Sequence, residues 1–228
     1  SVWAPMSADQ DLGLVYLPIE SATGDRYGGD RPGDNLFSSS LAAVDVKTGK
    51  LRWHYQIVHH DIWDYDNSSA PILADLDEKK IVIQLTKQSY AFVFDRETGE
   101  PHWPIHEINV PKSDVPGEWT SPTQPIPSLP EAYDRSGVSR NDLIDYTPEI
   151  SQAVENLIKD YRLGPLYTPP SLAESKDGTK GTLSLPYPTG GSNWEGGAYD
   201  PETNLLYVPS QTRLALLSLK DGDESTDV

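Results

Sequence analysis

Short apolar runs bounded by Asp-, Gly- and Pro-rich turns set the rhythm of this chain. Leu14–Pro18, Leu51–Val58, Pro71–Leu76, Lys80–Lys87 and Tyr90–Phe94 read as strands, each short, rich in β-branched or aromatic residues and closed by turn residues. The turns themselves repeat. Asp9-Gln-Asp-Leu-Gly-Leu-Val-Tyr-Leu-Pro18 returns as Asp200-Pro-Glu-Thr-Asn-Leu-Leu-Tyr-Val-Pro209. Ala43-Val-Asp-Val-Lys-Thr-Gly-Lys-Leu-Arg-Trp53 matches Val93-Phe-Asp-Arg-Glu-Thr-Gly-Glu-Pro-His-Trp103, fifty positions on. In such a unit the Asp carboxylate accepts backbone N–H groups, the Gly supplies a positive φ, and the Trp packs between neighbouring units. Two unrelated hairpins could share one turn of this kind. Asp, Thr, Gly and Trp in common register predict instead an all-β chain of β-propeller blades.

Other stretches break that rhythm. Residues 104–133 are rich in Pro and polar residues and predict an extended excursion over the propeller face, and 166–188 a second Pro/Gly-rich loop. Between them lies one helix, predicted over Pro148–Arg162. Thr147 suits its N-cap and Pro148 its first position, while Ile150, Ala153, Val154, Leu157, Ile158 and Tyr161 share one face and Gly164 ends it. That face should pack on the propeller. Blade strands are therefore expected over 1–103 and 190–219, with 104–189 as the excursion and 220–228 as a disordered tail. The opening Ser1-Val-Trp-Ala-Pro5 resembles the middle of a fold, which suggests a piece of a longer protein.

Composition narrows the function classes. A formal charge of -17 would repel a phosphate backbone, so nucleic acid is not the expected partner. The absence of Cys removes disulfides, thiolate metal sites and Cys nucleophiles. No apolar run is long enough for a transmembrane helix.

Candidate chemistry concentrates in His59-His-Asp-Ile-Trp-Asp-Tyr-Asp-Asn67, directly after a predicted strand. So many ionisable groups would not sit unpaired in a buried strand, so the stretch is a loop at a strand end. Such loops carry catalytic carboxylates, although a solvated acidic turn would look the same. Zinc is disfavoured: adjacent His residues on a strand point to opposite faces, and no third ligand is suitably spaced. Orientation or hydrogen bonding suits His59 and His60 better.

Pro32-Gly-Asp-Asn35, Ser39–Trp53, His59–Asp66, Ser121-Pro-Thr-Gln-Pro125, Leu166-Tyr-Thr-Pro-Pro170 and Asn204–Ser210 together resemble the pyrroloquinoline quinone (PQQ)-dependent dehydrogenases, and among them the membrane-type glucose and quinate enzymes. Ala43–Trp53 is similar to the tryptophan-docking motif that clamps adjacent blades of that family. The resemblance implies an eight-bladed ring around PQQ and a divalent ion, Ca²⁺ or Mg²⁺, of which this length supplies about half. The chain alone would then lack some cofactor contacts and be inactive.

By the same resemblance Asp64 is the base that takes the alcohol proton, with Asp61 and Asp66 as competitors in the loop, and Lys87 hydrogen-bonds the reactive quinone oxygen. Trp3 would stack on the PQQ ring, and Asn193 and Trp194 would face the cofactor. The metal position departs from the family: where relatives carry Gly-Asn, this chain has Glu20-Ser21, so Glu20 or Asp25 would replace the amide and Ser21 would be a weak ligand. The implied reaction is oxidation of a sugar or polyol in the periplasm, with electrons passed to a quinone-type acceptor. The remaining blades would complete the site, and membrane attachment would come only through segments outside this chain. A non-catalytic propeller segment used for binding or assembly is the alternative. A glycosidase would need a second placed carboxylate that the sequence does not offer.

Overall fold

The computed structural model describes residues 1–220 and 222. Two antiparallel sheets carry the core. The first contains β1 (Ser7–Asp9), β2 (Leu14–Pro18), β3 (Ser40–Asp45) and β4 (Leu51–Gln56), in that spatial order. The second contains β5 (Ile72–Leu76), β6 (Lys79–Leu85) and β7 (Ala91–Asp95), again in sequence order, with a bridge from Phe94 to Pro101 beyond it. Neighbouring strands in sequence are neighbours in space, which is the meander of a propeller blade.

One turn device is used four times. Asp45 Oδ1 accepts the N–H groups of Lys47 (3.1 Å) and Thr48 (2.8 Å) and the Thr48 hydroxyl (2.8 Å). Asp95 repeats this with Glu97 (2.9 Å) and with Thr98 through its N–H (2.8 Å) and hydroxyl (3.0 Å). Asp9 caps Asp11 and Leu12, and Asp200 caps Glu202 and Thr203. In every case the fourth residue on, Gly13, Gly49, Gly99 or Asn204, has positive φ, so the two repeats in the sequence are one motif.

The Trp of that motif joins the sheets. Trp53 on β4 donates its indole N–H to Arg96 O (3.1 Å), the carbonyl that also accepts Tyr16 OH (2.9 Å). Arg96 answers with ion pairs to Asp9 on the first sheet and Asp75 on the second. Gly99 lies flat on the indole: a Cβ there would stand 2.6 Å from Trp53 Cδ2, and its φ of 76° is unfavourable to other residues. Gly99→Ala is therefore expected to lower the stability of the full-length protein by about 1–3 kcal/mol. An unchanged midpoint in chemical denaturation would mean that Trp53 does not clamp the sheets.

Residues 104–133 depart from the expected irregular excursion. β8 (Ile105–Asn109) pairs antiparallel with β9 (Thr123–Pro127). Pro125 and Pro127 disguise β9, but a two-stranded ribbon leaves an edge on which a missing N–H is tolerated. Residues 166–188 likewise hold β10 (Ser171–Leu172) and β11 (Thr182–Ser184), which flank β14 (Ala215–Leu219). β12 (Ala198–Asp200) and β13 (Leu205–Tyr207) form a separate hairpin.

The helix is shorter than expected. α1 spans Pro148–Ile158, with the Thr147 hydroxyl accepting Ile150 N–H (3.3 Å), and does not reach Arg162. Arg162 is taken instead by backbone pairing: its N–H donates to Gly181 O (2.9 Å) and its carbonyl accepts from Leu183 (2.8 Å). Nor does the apolar face pack as predicted. Only Ile158 is buried, and Leu157 is 72% exposed. Of the tail expected to be disordered, all but Lys220 and Gly222 lies outside the described residues.

Candidate active site

The loop after β4 is built around a buried carboxylate. Asp61 is fully buried and accepts Trp63 N–H (2.9 Å), Tyr65 N–H (2.8 Å) and the Ser39 hydroxyl (3.1 Å). Those bonds curl the chain so that alternate residues point opposite ways. Trp63 and Tyr65 go inward, stacked at 6.4 Å and fixed by bonds to Thr168 O (3.1 Å) and Pro186 O (3.3 Å). Asp64, with φ of 65°, and Asp66 turn the other way, towards Lys87. Asp tolerates that left-handed conformation better than most residues.

Lys87 follows β6 and is almost wholly buried. Its ammonium donates to Asp64 O (2.8 Å), Asp64 Oδ1 (3.0 Å) and Asp66 Oδ2 (3.0 Å). An ammonium has three N–H donors, so all are engaged. Asp66 Oδ1 in turn accepts Ser21 N–H (2.6 Å), tying the segment after β2 to the same cluster. Asp64 Oδ2 faces the guanidinium of Arg26 at 3.6 Å.

These contacts separate the carboxylates electrostatically. Burial raises Asp64, and the Lys87 charge only partly offsets this, so its carboxyl stays above the ordinary range. Burial would raise Asp66 too, but Lys87 and the Ser21 N–H outweigh it and hold Asp66 below the ordinary value. Asp61, buried and near Asp66 and Asp64, is pushed up to about 6 despite its two N–H donors.

A carboxyl whose folded pKa lies above its unfolded value binds its proton more tightly when folded, so Asp61 lowers stability as pH rises from about 4 to about 6. Removing the titration with Asp61→Asn should flatten that part of the pH–stability curve. Thermal unfolding of the full-length protein between pH 4 and 7 checks it, and equal slopes in the two proteins would contradict it.

Partners distant in sequence fix the loop from outside. Gln124 on β9 clamps the His59 backbone at both ends, accepting its N–H (2.8 Å) and donating to its carbonyl (2.6 Å). His60, also fully buried, places Nδ1 on Gly33 O (2.7 Å) and Nε2 on Glu118 Oε1 (3.3 Å). His59 bridges Gln56 and Glu107. Both histidines are supports, as their sequence setting suggested. Gln124 and Glu118 were missed: Gln124 lies within the Ser121–Pro125 stretch that resembles the family, but nothing local there points to His59, and nothing near Glu118 marks it; the Asp61-x-Trp-x-Tyr spacing did offer a cue to the Asp61 turn.

The other expected site residues are placed unevenly. Gly191 N–H donates to Lys87 O (2.9 Å), and a Cβ on Gly190 would lie 2.6 Å from Lys87 Cα, so the 189–196 loop rests on the Lys87 backbone. Within it Asn193 turns back to Thr189 O (2.6 Å), and Trp194 is 65% exposed. Trp3 is 47% exposed and makes no side-chain hydrogen bond or ring–ring contact among the described residues.

The fit to the two implied groups differs. Beside Lys87 the fully buried Gln88 amide and Ser89 hydroxyl lack partners, and next to Asp66 so does Asn67 Oδ1. These unpartnered polar groups beside Lys87 and Asp66 fit a polar cofactor such as PQQ. The metal does not fit equally well. Glu20 Oε1 accepts the Ser1 hydroxyl (2.7 Å), and Ser21 donates its backbone N–H to Asp66. Asp25 lies on a cavity wall. Among the described residues no three His, Asp or Glu side chains converge on a possible ion.

Comparison with known proteins agrees with this architecture. The family model for the PQQ glucose/ethanol/alcohol dehydrogenase β-propeller domain matches residues 1–228. The chain is 36% identical to the quinoprotein glucose dehydrogenase of Gluconobacter oxydans over 212 residues, covering 90% of this chain and 25% of the relative. It is 34% identical to the quinate/shikimate dehydrogenase (quinone) of Acinetobacter baylyi, covering 94% and 26%, and 35% identical to the glycerol dehydrogenase large subunit of Gluconobacter oxydans, covering 90% and 28%. The chain thus spans about a quarter of the length of these relatives. Among solved structures, the quinohemoprotein alcohol dehydrogenase of Comamonas testosteroni superposes with a TM-score of 0.57 at 22% identity, covering 93% of this chain and 26% of that one, a likeness of fold. Sheets, docking Trp and matched length define a quinoprotein-type β-propeller. The chain belongs to the PQQ glucose/ethanol/alcohol dehydrogenase β-propeller family.

Proposed function

We propose that this chain carries the base and the cofactor-facing lysine of a PQQ-dependent dehydrogenase that oxidises a sugar or polyol and passes the electrons to a quinone-type acceptor. The observation that carries this reading is the Asp64–Lys87 pair at 3.0 Å, at the end of a blade sheet, in a cluster tied down by the buried Asp61 turn.

Asp64 accepts the hydroxyl proton, and its raised pKa makes it a stronger base than an ordinary carboxylate. PQQ, when bound, supplies the acceptor for the hydride. Lys87 offers a fixed positive charge beside it, but reaching a cofactor oxygen requires one of its present acceptors to let go. Asp66 keeps the ammonium in place during that exchange. Trp194, Asn193 and Trp3 are assigned to the cofactor's faces, and Glu20, Ser21 and Asp25 to a divalent ion completed by groups outside this chain. We place the reaction in the periplasm; no described helix is long and apolar enough to cross a membrane.

The Glu20-Ser21 departure at the metal position supports a second reading, a propeller segment retained for binding or assembly. Adding PQQ and Ca²⁺ to the full-length protein decides between them. Dye reduction dependent on glucose, glycerol or quinate supports the enzyme; no reduction with any alcohol supports the binding segment.

A further inference from the structure

Resting on that function, we infer that Arg26 is a specificity-determining residue, which receives a carboxylate on the substrate and selects polyhydroxy acids over neutral polyols. Arg26 is the cation beside the proposed base that pairs with it yet keeps its hydrogen-bond donors to spare. Lys87 spends its three donors on Asp64 and Asp66, and Arg31 is bound to Asn35, Gly24 O and Asp61 O. Arg26 instead makes no hydrogen bond among the described residues, lies 3.6 Å from Asp64 Oδ2 and is 48% exposed. A guanidinium has five donors in a planar fork that matches a carboxylate.

Its setting is a cavity of about 570 Å³, walled by Asp25, Tyr27, Asp30, Val115, Pro116 and Lys220 among others, as well as Arg26. The backbone that carries it is fixed: Tyr27 N–H closes on Gly24 O (3.2 Å) and Tyr27 OH donates to Pro116 O (3.2 Å). A substrate whose reacting hydroxyl meets Asp64 would therefore place the substituent on a neighbouring carbon against the fork. Asp25 and Asp30 line the same cavity and Lys220 adds one further cation to its wall, but beside Asp64 the cation open to an anion is Arg26. Without that cation the same carboxylates would repel it, whereas a neutral polyol would lose only hydrogen bonds.

Quinate and glycerol, substrates named for relatives of this chain, are suitable probes. In the PQQ-loaded full-length protein, Arg26→Ala should raise KM for quinate at least tenfold more than KM for glycerol, with kcat changing less than KM. Calorimetric titration of quinate into the cofactor-free protein should show the same loss, and Arg26→Lys should recover part of it. Equal effects on both alcohols, a loss confined to kcat, or turnover of glycerol but not quinate by the wild type would overturn the inference. Failure of the wild type to oxidise any alcohol would instead overturn the proposed function beneath it.

Discussion

Lys87→Met should cost the full-length protein about 3 kcal/mol of stability, towards the lower end of what breaking a buried ion pair costs. Met fills much the same space but brings no charge, so Asp64 and Asp66 would be left facing each other with little solvent. Asp64 O would also lose its donor, and the loop would lose the bond that joins it to the end of β6. The lower end applies because both carboxylates keep some contact with water. Urea denaturation checks the figure, and a change below about 1 kcal/mol would show the cluster to be a loosely solvated surface group. Catalysis should suffer as well. Without the ammonium, Asp64 loses what holds its pKa down, so the pH at which turnover appears should move upward from that of the unaltered protein.

Asp64→Asn should have the larger effect on rate. The amide keeps the size of the side chain and can still meet Lys87 through its oxygen, so the fold should be retained. It cannot take a proton. Loss of a positioned general base is worth about 10²- to 10⁴-fold, and kcat should fall by that factor. Asp66→Asn is the control within the same loop: Asp66 is held below the ordinary carboxylate range and is spent on Lys87 and Ser21, so its loss should weaken positioning without removing the base. If Asp66→Asn abolished turnover while Asp64→Asn stayed active, the base would have been misassigned within the loop.

What could be read from the sequence follows the range of the interactions. The Asp-x-x-Thr-Gly turns were legible because donor, acceptor and left-handed residue lie within five positions. The helix start was legible for the same reason, since Thr147 caps its own first turn. Its end was not: Arg162 leaves the helix to pair with residues 181–183, and local propensity carries no trace of that competitor. β9 was hidden by its prolines, and with it Gln124, whose clamp on His59 spans 65 positions. The site divides in the same way. The crowding of His59–Asn67 marked a functional loop, but choosing Asp64 from three carboxylates and pairing it with Lys87 came from family resemblance, and the structure brings those two together. Arg26 has no distinguishing neighbours in sequence. Only its place beside Asp64 singles it out.

The most direct measurement of the central claim is single-turnover reduction of bound PQQ, followed by its absorbance, in full-length protein carrying Asp64→Asn. Saturated with PQQ and Ca²⁺ and then mixed with substrate, the variant should hold its cofactor and leave it oxidised, while the unaltered protein reduces it. Reduction by the variant at the unaltered rate would contradict the assignment of Asp64 as the base.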